Sequence, residues 1–218
     1  MTDSSAAGAA VYSPLTLALY DAWVLGISNR YAWRCPTDEV LLPFFRANTR
    51  ANHLDIGVGT GYYLAKANLS PGTQITLMDL NPSSLAAAKR RIGRPDTRTL
   101  QHDVMAPIPN GERFDSISLF YLLHCLPGPL DAKAAIFAHL KHNLAAGGVV
   151  FGATILGDDA GHNGFGRKLM AVYNKKGIFG NSHDTQTGFE AHLRTHFSDV
   201  ILKREGVVLL FRAAQPIL

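Results

Sequence analysis

The sequence predicts an α/β protein, a mostly parallel seven-stranded sheet covered by helices and finished by a C-terminal antiparallel hairpin. Three observations predict it. From about Ala51 onward, short apolar runs alternate with helical patterns, as in sheets buried on both faces. Three glycines, Gly57, Gly59 and Gly61, stand between the first apolar run and the helical stretch after it. Near the other end, the β-rich runs 200–203 and 207–211 are separated by Arg204, Glu205 and Gly206, a hairpin pattern.

The elements follow in order. Residues 53–56 read as the first strand and 74–78 as the second. Asn81 suits a helix cap and Pro82 the first turn, while Gly93 suits the end. Residues 98–101 and 115–121 are the third and fourth strands. A helical period over 131–144 stops at Gly147 and Gly148, before the fifth strand at 149–155. Residues 167–174 are expected to be helical, with Gly177 beyond their end. Thr187 and Glu190 have the spacing of a capping box opening another helix. Residues 1–50 are helical and aromatic and are expected to cap the active edge of the single unit formed by residues 51–218.

Bulk composition narrows the function classes. The 218 residues are 47% hydrophobic and 17% charged, which suits one globular domain with a sizeable core. The formal charge of +4 is scattered, and its densest group (Lys89, Arg90, Arg91, Arg94) lies late in a helix, where cations complement the helix dipole. That distribution is expected of a solvated face, so no nucleic-acid partner is expected. Cys35 and Cys125 lie in unrelated contexts and form neither a disulfide framework nor a metal set, so a reducing cytoplasm is the expected location. The N-terminal apolar stretch is interrupted by Pro14 and Asp21, and it is expected to be neither a signal peptide nor a membrane span.

The chemistry concentrates in Asp55-Ile56-Gly57-Val58-Gly59-Thr60-Gly61. Glycines permit a tight turn and a close approach of backbone to ligand. A dinucleotide fingerprint would need a third glycine at position 62, which is Tyr62. Asp55 would repel a pyrophosphate and attract an ammonium. Asp79 ends the second strand, where a carboxylate can accept both hydroxyls of a ribose, and Asp103 ends the third, within reach of an adenine amino group. Three strand-end carboxylates at one sheet edge mark a ligand crevice.

With these residues the chain resembles the class I S-adenosylmethionine-dependent methyltransferases, in their small-molecule branch (type 11/12-like), over roughly residues 51–155, and the hairpin agrees. The resemblance implies a Rossmann-like fold with S-adenosylmethionine as cofactor and S-adenosylhomocysteine as product. It implies that Asp55, Gly57, Gly59 and Gly61 hold the methionine part, and Asp79 with Leu80 the ribose. Asp103 and Val104 would lie at the adenine. Phe120 and Tyr121, at the end of the fourth strand, would lie beneath the methionine and face the acceptor.

Residues 120–127 lack the Asn/Asp-Pro-Pro-Tyr motif of amino-directed nucleic-acid and protein enzymes, and Cys125 is not adjacent to Pro127 as a C5-pyrimidine nucleophile would be. Cys125 is therefore expected to be a small buried residue. A small-molecule acceptor of secondary-metabolite type, methylated on oxygen or carbon, is expected. His124 is a candidate general base, with a structural histidine bonded to a backbone carbonyl as the competing reading. The aromatic stretch 20–34 reads as a lid. Tyr12, Tyr20 and Arg34 are candidates for closing over the cofactor, with Tyr12, Trp23, Tyr121 and Tyr173 facing the acceptor; aromatic packing between cap and core is the alternative. His162 and His183 have no acid at ligand spacing, so no metal is expected. A monomer or homodimer fits the pattern. The rivals are a nicotinamide oxidoreductase, disfavoured by Tyr62 and the hairpin; a member of the fold that uses the cofactor without methylating; and an RNA or protein methyltransferase.

Overall fold

The computed structural model describes residues 21–217. Seven strands form one sheet: β1 (Asn52–Ile56), β2 (Gln74–Asp79), β3 (Arg98–Gln101), β4 (Phe114–Phe120), β5 (Leu144–Ile155), β6 (Phe197–Glu205) and β7 (Val208–Pro216). Their spatial order is β3-β2-β1-β4-β5-β7-β6, with β7 antiparallel to both β5 and β6 and every other pairing parallel. The expected seven-stranded sheet with its closing hairpin is therefore present. Its order reverses at β1 and β4, and a crevice opens where connections leave in opposite directions.

Among the described residues six α-helices accompany the strands: α1 (Leu42–Asn48), α2 (Tyr62–Lys66), α3 (Pro82–Ile92), α4 (Leu130–Leu140), α5 (Gly164–Lys175) and α6 (Gln186–His196). Two wider, π-helical segments, Asp21–Ala32 and Thr37–Leu41, precede α1 and form the described part of the cap. At α3, Asn81 accepts a hydrogen bond from the Ser83 N–H, and Gly93 closes the helix in the left-handed region, as expected.

Three expectations about boundaries need correction. The helix expected over 131–144 ends at Leu140, and Leu144 already pairs with Phe114. The Arg113 guanidinium holds the Leu144 carbonyl at 3.0 Å, and residues 145–148 bulge outward before the ladder resumes at Val149 opposite Ser116. The helix expected at 167–174 starts one turn earlier, where Asn163 caps the Gly166 N–H at 2.7 Å. The capping box lies two residues too late: Thr185 caps α6 through the Gly188 N–H, while Glu190 pairs with Arg194 one turn on. A threonine two residues upstream reaches the free N–H first.

The turn between α5 and α6 is tied down from inside. Lys133 on α4 is fully buried, and its ammonium donates to Asp184 Oδ2 and to the Gly180 carbonyl, both at 2.7 Å. Gly180 in turn donates its N–H to the His124 carbonyl at 2.9 Å. A buried ion pair fixes geometry more than it stabilises, but removing one partner strands the other charge. Lys133→Met should therefore lower stability by about 3–5 kcal/mol in urea unfolding. The double variant Lys133→Met/Asp184→Leu should recover most of that loss.

Candidate active site

Each glycine of the loop is required for a different reason, and all three have positive φ. A Cβ on Gly57 would lie 2.9 Å from the Leu122 side chain, just past β4. One on Gly61 would lie 2.9 Å from Ala88 of α3, so this glycine sets the packing of loop against helix. One on Gly59 would meet nothing within 4 Å, because Gly59 faces the cavity. The loop is pinned below by the Gly57 N–H to the Met78 carbonyl at 2.8 Å. Above it, Arg91 donates to Thr60 Oγ1 at 2.9 Å and lies 5.2 Å over the Tyr62 ring, whose hydroxyl donates to Asp38 of the cap. Arg94 similarly holds the carbonyls of Leu69 and Thr73. Two members of the basic group expected on a solvated face therefore make specific contacts.

The cavity has a volume of about 340 Å³ and lies at the carboxyl ends of the strands. Asp55, Asp79 and Asp103 all line it. Burial pushes the Asp55 carboxyl up to about 7, with the nearby Asp79 adding to the rise and a hydrogen bond from Ser118 opposing it. Burial also raises Asp79, against hydrogen bonds from the N–H groups of Asn81, Val58, Gly59 and Leu80. Asp103 accepts the Met105 N–H at 3.0 Å, which turns the chain after β3. Among the described lining residues there is no lysine or arginine. The site is short of positive charge, so it favours a cationic ligand over a pyrophosphate.

Tyr121 ends β4 in the left-handed region (φ 56°), an uncommon conformation for a residue with a side chain. It turns the chain so that Leu122 packs beneath Gly57 and the segment to Pro127 forms the cavity wall.

Residues 54–150 match the family described as Methyltransferase domain. The chain is 48% identical to the physcion biosynthesis cluster O-methyltransferase of Aspergillus chevalieri over 211 residues, 96% of this chain and 95% of that protein. It is 44% identical to the N-methyltransferase vrtF of Penicillium aethiopicum, across 98% of this chain and 90% of that one. The fold is also similar to that in the DhpI–SAH complex, with a TM-score of 0.64 at 17% identity, covering 93% and 92% of the two chains. The chain belongs to the class I S-adenosylmethionine-dependent methyltransferases.

The methyltransferase site fits that cofactor by its own chemistry. Asp55 and Asp79 are two raised carboxyls that would suit an ammonium and a ribose, and Gly59 leaves open the space in front of the loop. Leu80, Val104 and Phe120 line the same cavity and offer apolar surface to an adenine and a methionine chain. Asn81, Ser84, Thr60 and His102 also line it, and sequence reasoning missed them. Asn81 was read only as a helix cap, a role it also fills.

The acceptor-side candidates divide. Tyr121 lines the cavity, together with Leu122, Leu126, Pro127, Ile178 and Phe179, and with Val24 and Leu25 from the cap. His124 is not among the lining residues. It is 2% exposed, and its Nδ1 accepts the Ile155 N–H at 3.3 Å. Burial, with the Lys133 charge adding, pushes its imidazole down to about 3. The geometry is that of a structural histidine, bonded to a backbone N–H rather than to a carbonyl, and it places the general-base candidate behind the cavity wall.

Trp23 donates its indole N–H to the Tyr173 hydroxyl at 3.0 Å, and both stand behind the wall, Tyr173 packing on Phe179 with centroids 4.9 Å apart. Arg34 is exposed and donates to the Gly161 carbonyl at 2.8 Å, so it does not close over the cofactor in this structure. Its backbone lies against Gly206 at the hairpin turn, where a Cβ would meet the Arg34 carbonyl at 2.6 Å. Tyr12 and Tyr20 lie outside the described residues. Cys125 lines the cavity, but burial pushes its thiol up to about 12, which removes thiolate chemistry at neutral pH. No group of three metal-ligating side chains occurs among the described residues.

Two outcomes follow. Gly59→Leu should lose about 1–2 kcal/mol of stability to its left-handed backbone and bind S-adenosylmethionine at least about a hundredfold more weakly, because its side chain occupies ligand space. Gly61→Val adds an overlap with Ala88 to the same backbone strain and should lose about 3 kcal/mol or more. Calorimetric titration and thermal unfolding separate the two. A second outcome concerns Asp55, whose folded-state value is raised from 3.8 to about 7. The raised group adds stability that is fully present below 3.8 and lost as pH rises through about 7. Asp55→Asn should therefore stabilise the ligand-free enzyme near pH 8 by a few kcal/mol, about 4 at most. Near pH 4 it should change little, while cofactor affinity falls; unfolding curves at both pH values check this.

Proposed function

We propose that this methyltransferase transfers the methyl group of S-adenosylmethionine to a hydroxyl of a small, flat, largely apolar acceptor, and that the acceptor's own acidity supplies the nucleophile. The observation that carries the reading is the acceptor wall. Phe120, Tyr121, Leu126, Ile178 and Phe179 offer aromatic and aliphatic surface, while His124 accepts a backbone N–H behind the wall and His102, the imidazole among the described lining residues, stands beyond β3 with its Nε2 3.1 Å from the Pro107 carbonyl. A phenol-type hydroxyl loses its proton readily enough to react without an enzyme base. The O-methyltransferase of Aspergillus chevalieri supports oxygen as the target, and the Penicillium aethiopicum N-methyltransferase supports nitrogen as the second reading.

The cofactor supplies a methyl group already activated on a sulfonium, so little covalent chemistry falls to the protein. Asp55 and Asp79 orient the ligand from the methionine and ribose sides, and the glycine loop lets the backbone approach it. The apolar wall excludes water and sets the acceptor in line. Such positioning lowers barriers by up to roughly 7–11 kcal/mol in favourable cases. Among the described residues no helix is long and apolar enough to cross a membrane. Both cysteines carry free thiols, which supports a reducing, cytoplasmic setting.

The test is incubation with S-adenosylmethionine and a panel of phenols, aryl amines and thiols, with mass spectrometry for products heavier by one methylene. Across phenols of graded acidity, the pH midpoint of kcat/KM should follow the acceptor. A midpoint that stays fixed across the series would point to an enzyme base instead and overturn the reading.

A further inference from the structure

Four polar residues occupy positions where a doubly covered parallel sheet carries apolar ones. His53 and Asp55 alternate along β1, and Ser116 and Ser118 along β4, so each pair points to one face. The parallel register sets His53 opposite Ser116 and Asp55 opposite Ser118. His53, Ser116 and Ser118 are fully buried. On the neighbouring strands β2 and β5, Ile75 and Val149 flank this row, while Phe45 of α1 stands edge-on over the imidazole with centroids 5.6 Å apart. Water has no access to this layer, so the groups must satisfy one another.

They do so in a single direction. The Arg50 N–H donates to Ser116 Oγ at 2.9 Å, and Ser116 Oγ lies 2.8 Å from His53 Nδ1. His53 Nε2 lies 3.2 Å from Ser118 Oγ, and the Ser118 hydroxyl donates to Asp55 Oδ1. A serine hydroxyl has one hydrogen. Since Ser118 gives its hydrogen to the carboxylate, the contact with His53 requires Nε2 to be the donor. Nδ1 is then the acceptor, and Ser116 donates to it while accepting from Arg50. The imidazole is neutral, its value pushed down to about 3 by burial, as this pattern demands. Each member accepts one hydrogen bond and donates one, and the row ends on the carboxylate.

We propose that His53 and Ser118 are positioning residues of the cofactor site, a buried relay that delivers one oriented hydrogen-bond donor onto Asp55 and holds its carboxylate ionised and aimed at the cofactor's ammonium. The proposal rests on the methyltransferase reading of the cavity. With Ser118 removed, Asp55 keeps the factors that favour its proton, burial and Asp79, and loses the one that opposes them. The other titratable groups lining the cavity with Asp55 are Asp103 and His102 beyond β3, Tyr62 and Tyr63 of α2, and Tyr121 and the Cys125 thiol beyond β4. None of these replaces the serine on Asp55 Oδ1 among the described contacts.

The experiment is calorimetric titration of the folded enzyme with S-adenosylhomocysteine and with methylthioadenosine, which lacks the amino-acid part, at about pH 7 and about pH 8.5. Ser118→Ala should bind S-adenosylhomocysteine about tenfold more weakly near pH 7. The deficit should shrink to about threefold or less near pH 8.5, as Asp55 regains its charge. Ser118→Thr, which keeps the hydroxyl, should restore parent affinity. His53→Leu should show the same pH-dependent loss, and His53→Gln, which can place an N–H near Nε2, should recover most of it. Methylthioadenosine affinity should be unchanged throughout. A loss that is equal for both ligands, or the same at both pH values, would overturn the relay and leave His53 and Ser118 as packing residues. The two variant pairs break the row independently, so failure of one to fold leaves the other decisive. If the parent enzyme bound neither ligand, the cofactor assignment would fall before the relay was tested.

Discussion

A carboxylate set inside the carboxyl end of the central strands is costly in the ligand-free protein, and much of the site's architecture surrounds that cost. Asp55 has little water and a second acid, Asp79, nearby, and both are raised by burial. The structure offsets this in part with the Ser118 hydroxyl on Asp55 and with loop N–H groups on Asp79. It leaves the remainder to a cation. A ligand carrying an ammonium and a sulfonium brings what the lining side chains lack. The destabilised acid is therefore a store of binding free energy released only by the correct ligand.

The glycine loop is the steric counterpart of that electrostatic arrangement. Gly57 and Gly61 let Leu122 and Ala88 come within van der Waals contact of the backbone, which brings β4 and α3 close enough to frame the crevice. Gly59 keeps the space in front of the acids open. Tyr62, which breaks the dinucleotide spacing, serves as an anchor: its ring lies under Arg91 and its hydroxyl bonds Asp38, joining loop, helix and cap. A glycine at position 62, as the dinucleotide spacing requires, would lose that connection.

On the acceptor side, rigidity comes from behind the wall. The buried Lys133–Asp184 pair fixes the segment that carries Phe179, and Phe179 packs on both His124 and Tyr173. His124 thus acts as a spacer whose orientation is set by the Ile155 N–H. A surface built in this way selects by shape and by exclusion of water, which suits chemistry whose reactive group arrives already activated.

The strands, the hairpin, the loop and its three acids were legible in the sequence, because each depends on residues close together in the chain. Alternation of apolar runs marks strands, glycines mark positive φ, and an acid at a strand end has one place to point. Positions such as Arg34, Trp23 and His124 were not legible. They carry suitable chemistry near the site in sequence, yet a carbonyl at Gly161, a hydroxyl at Tyr173 and an N–H at Ile155 claim them. The row from Arg50 to Asp55 left a faint trace, two polar residues at alternate positions in each of two strands expected to be buried. Only the register of β1 against β4 turns that trace into a connected set, since hydrogen bonds across a sheet depend on which residues face each other. Local pattern determined where the glycines and acids of the crevice would stand; long-range pairing alone decided which side chains stand behind them and hold them in form.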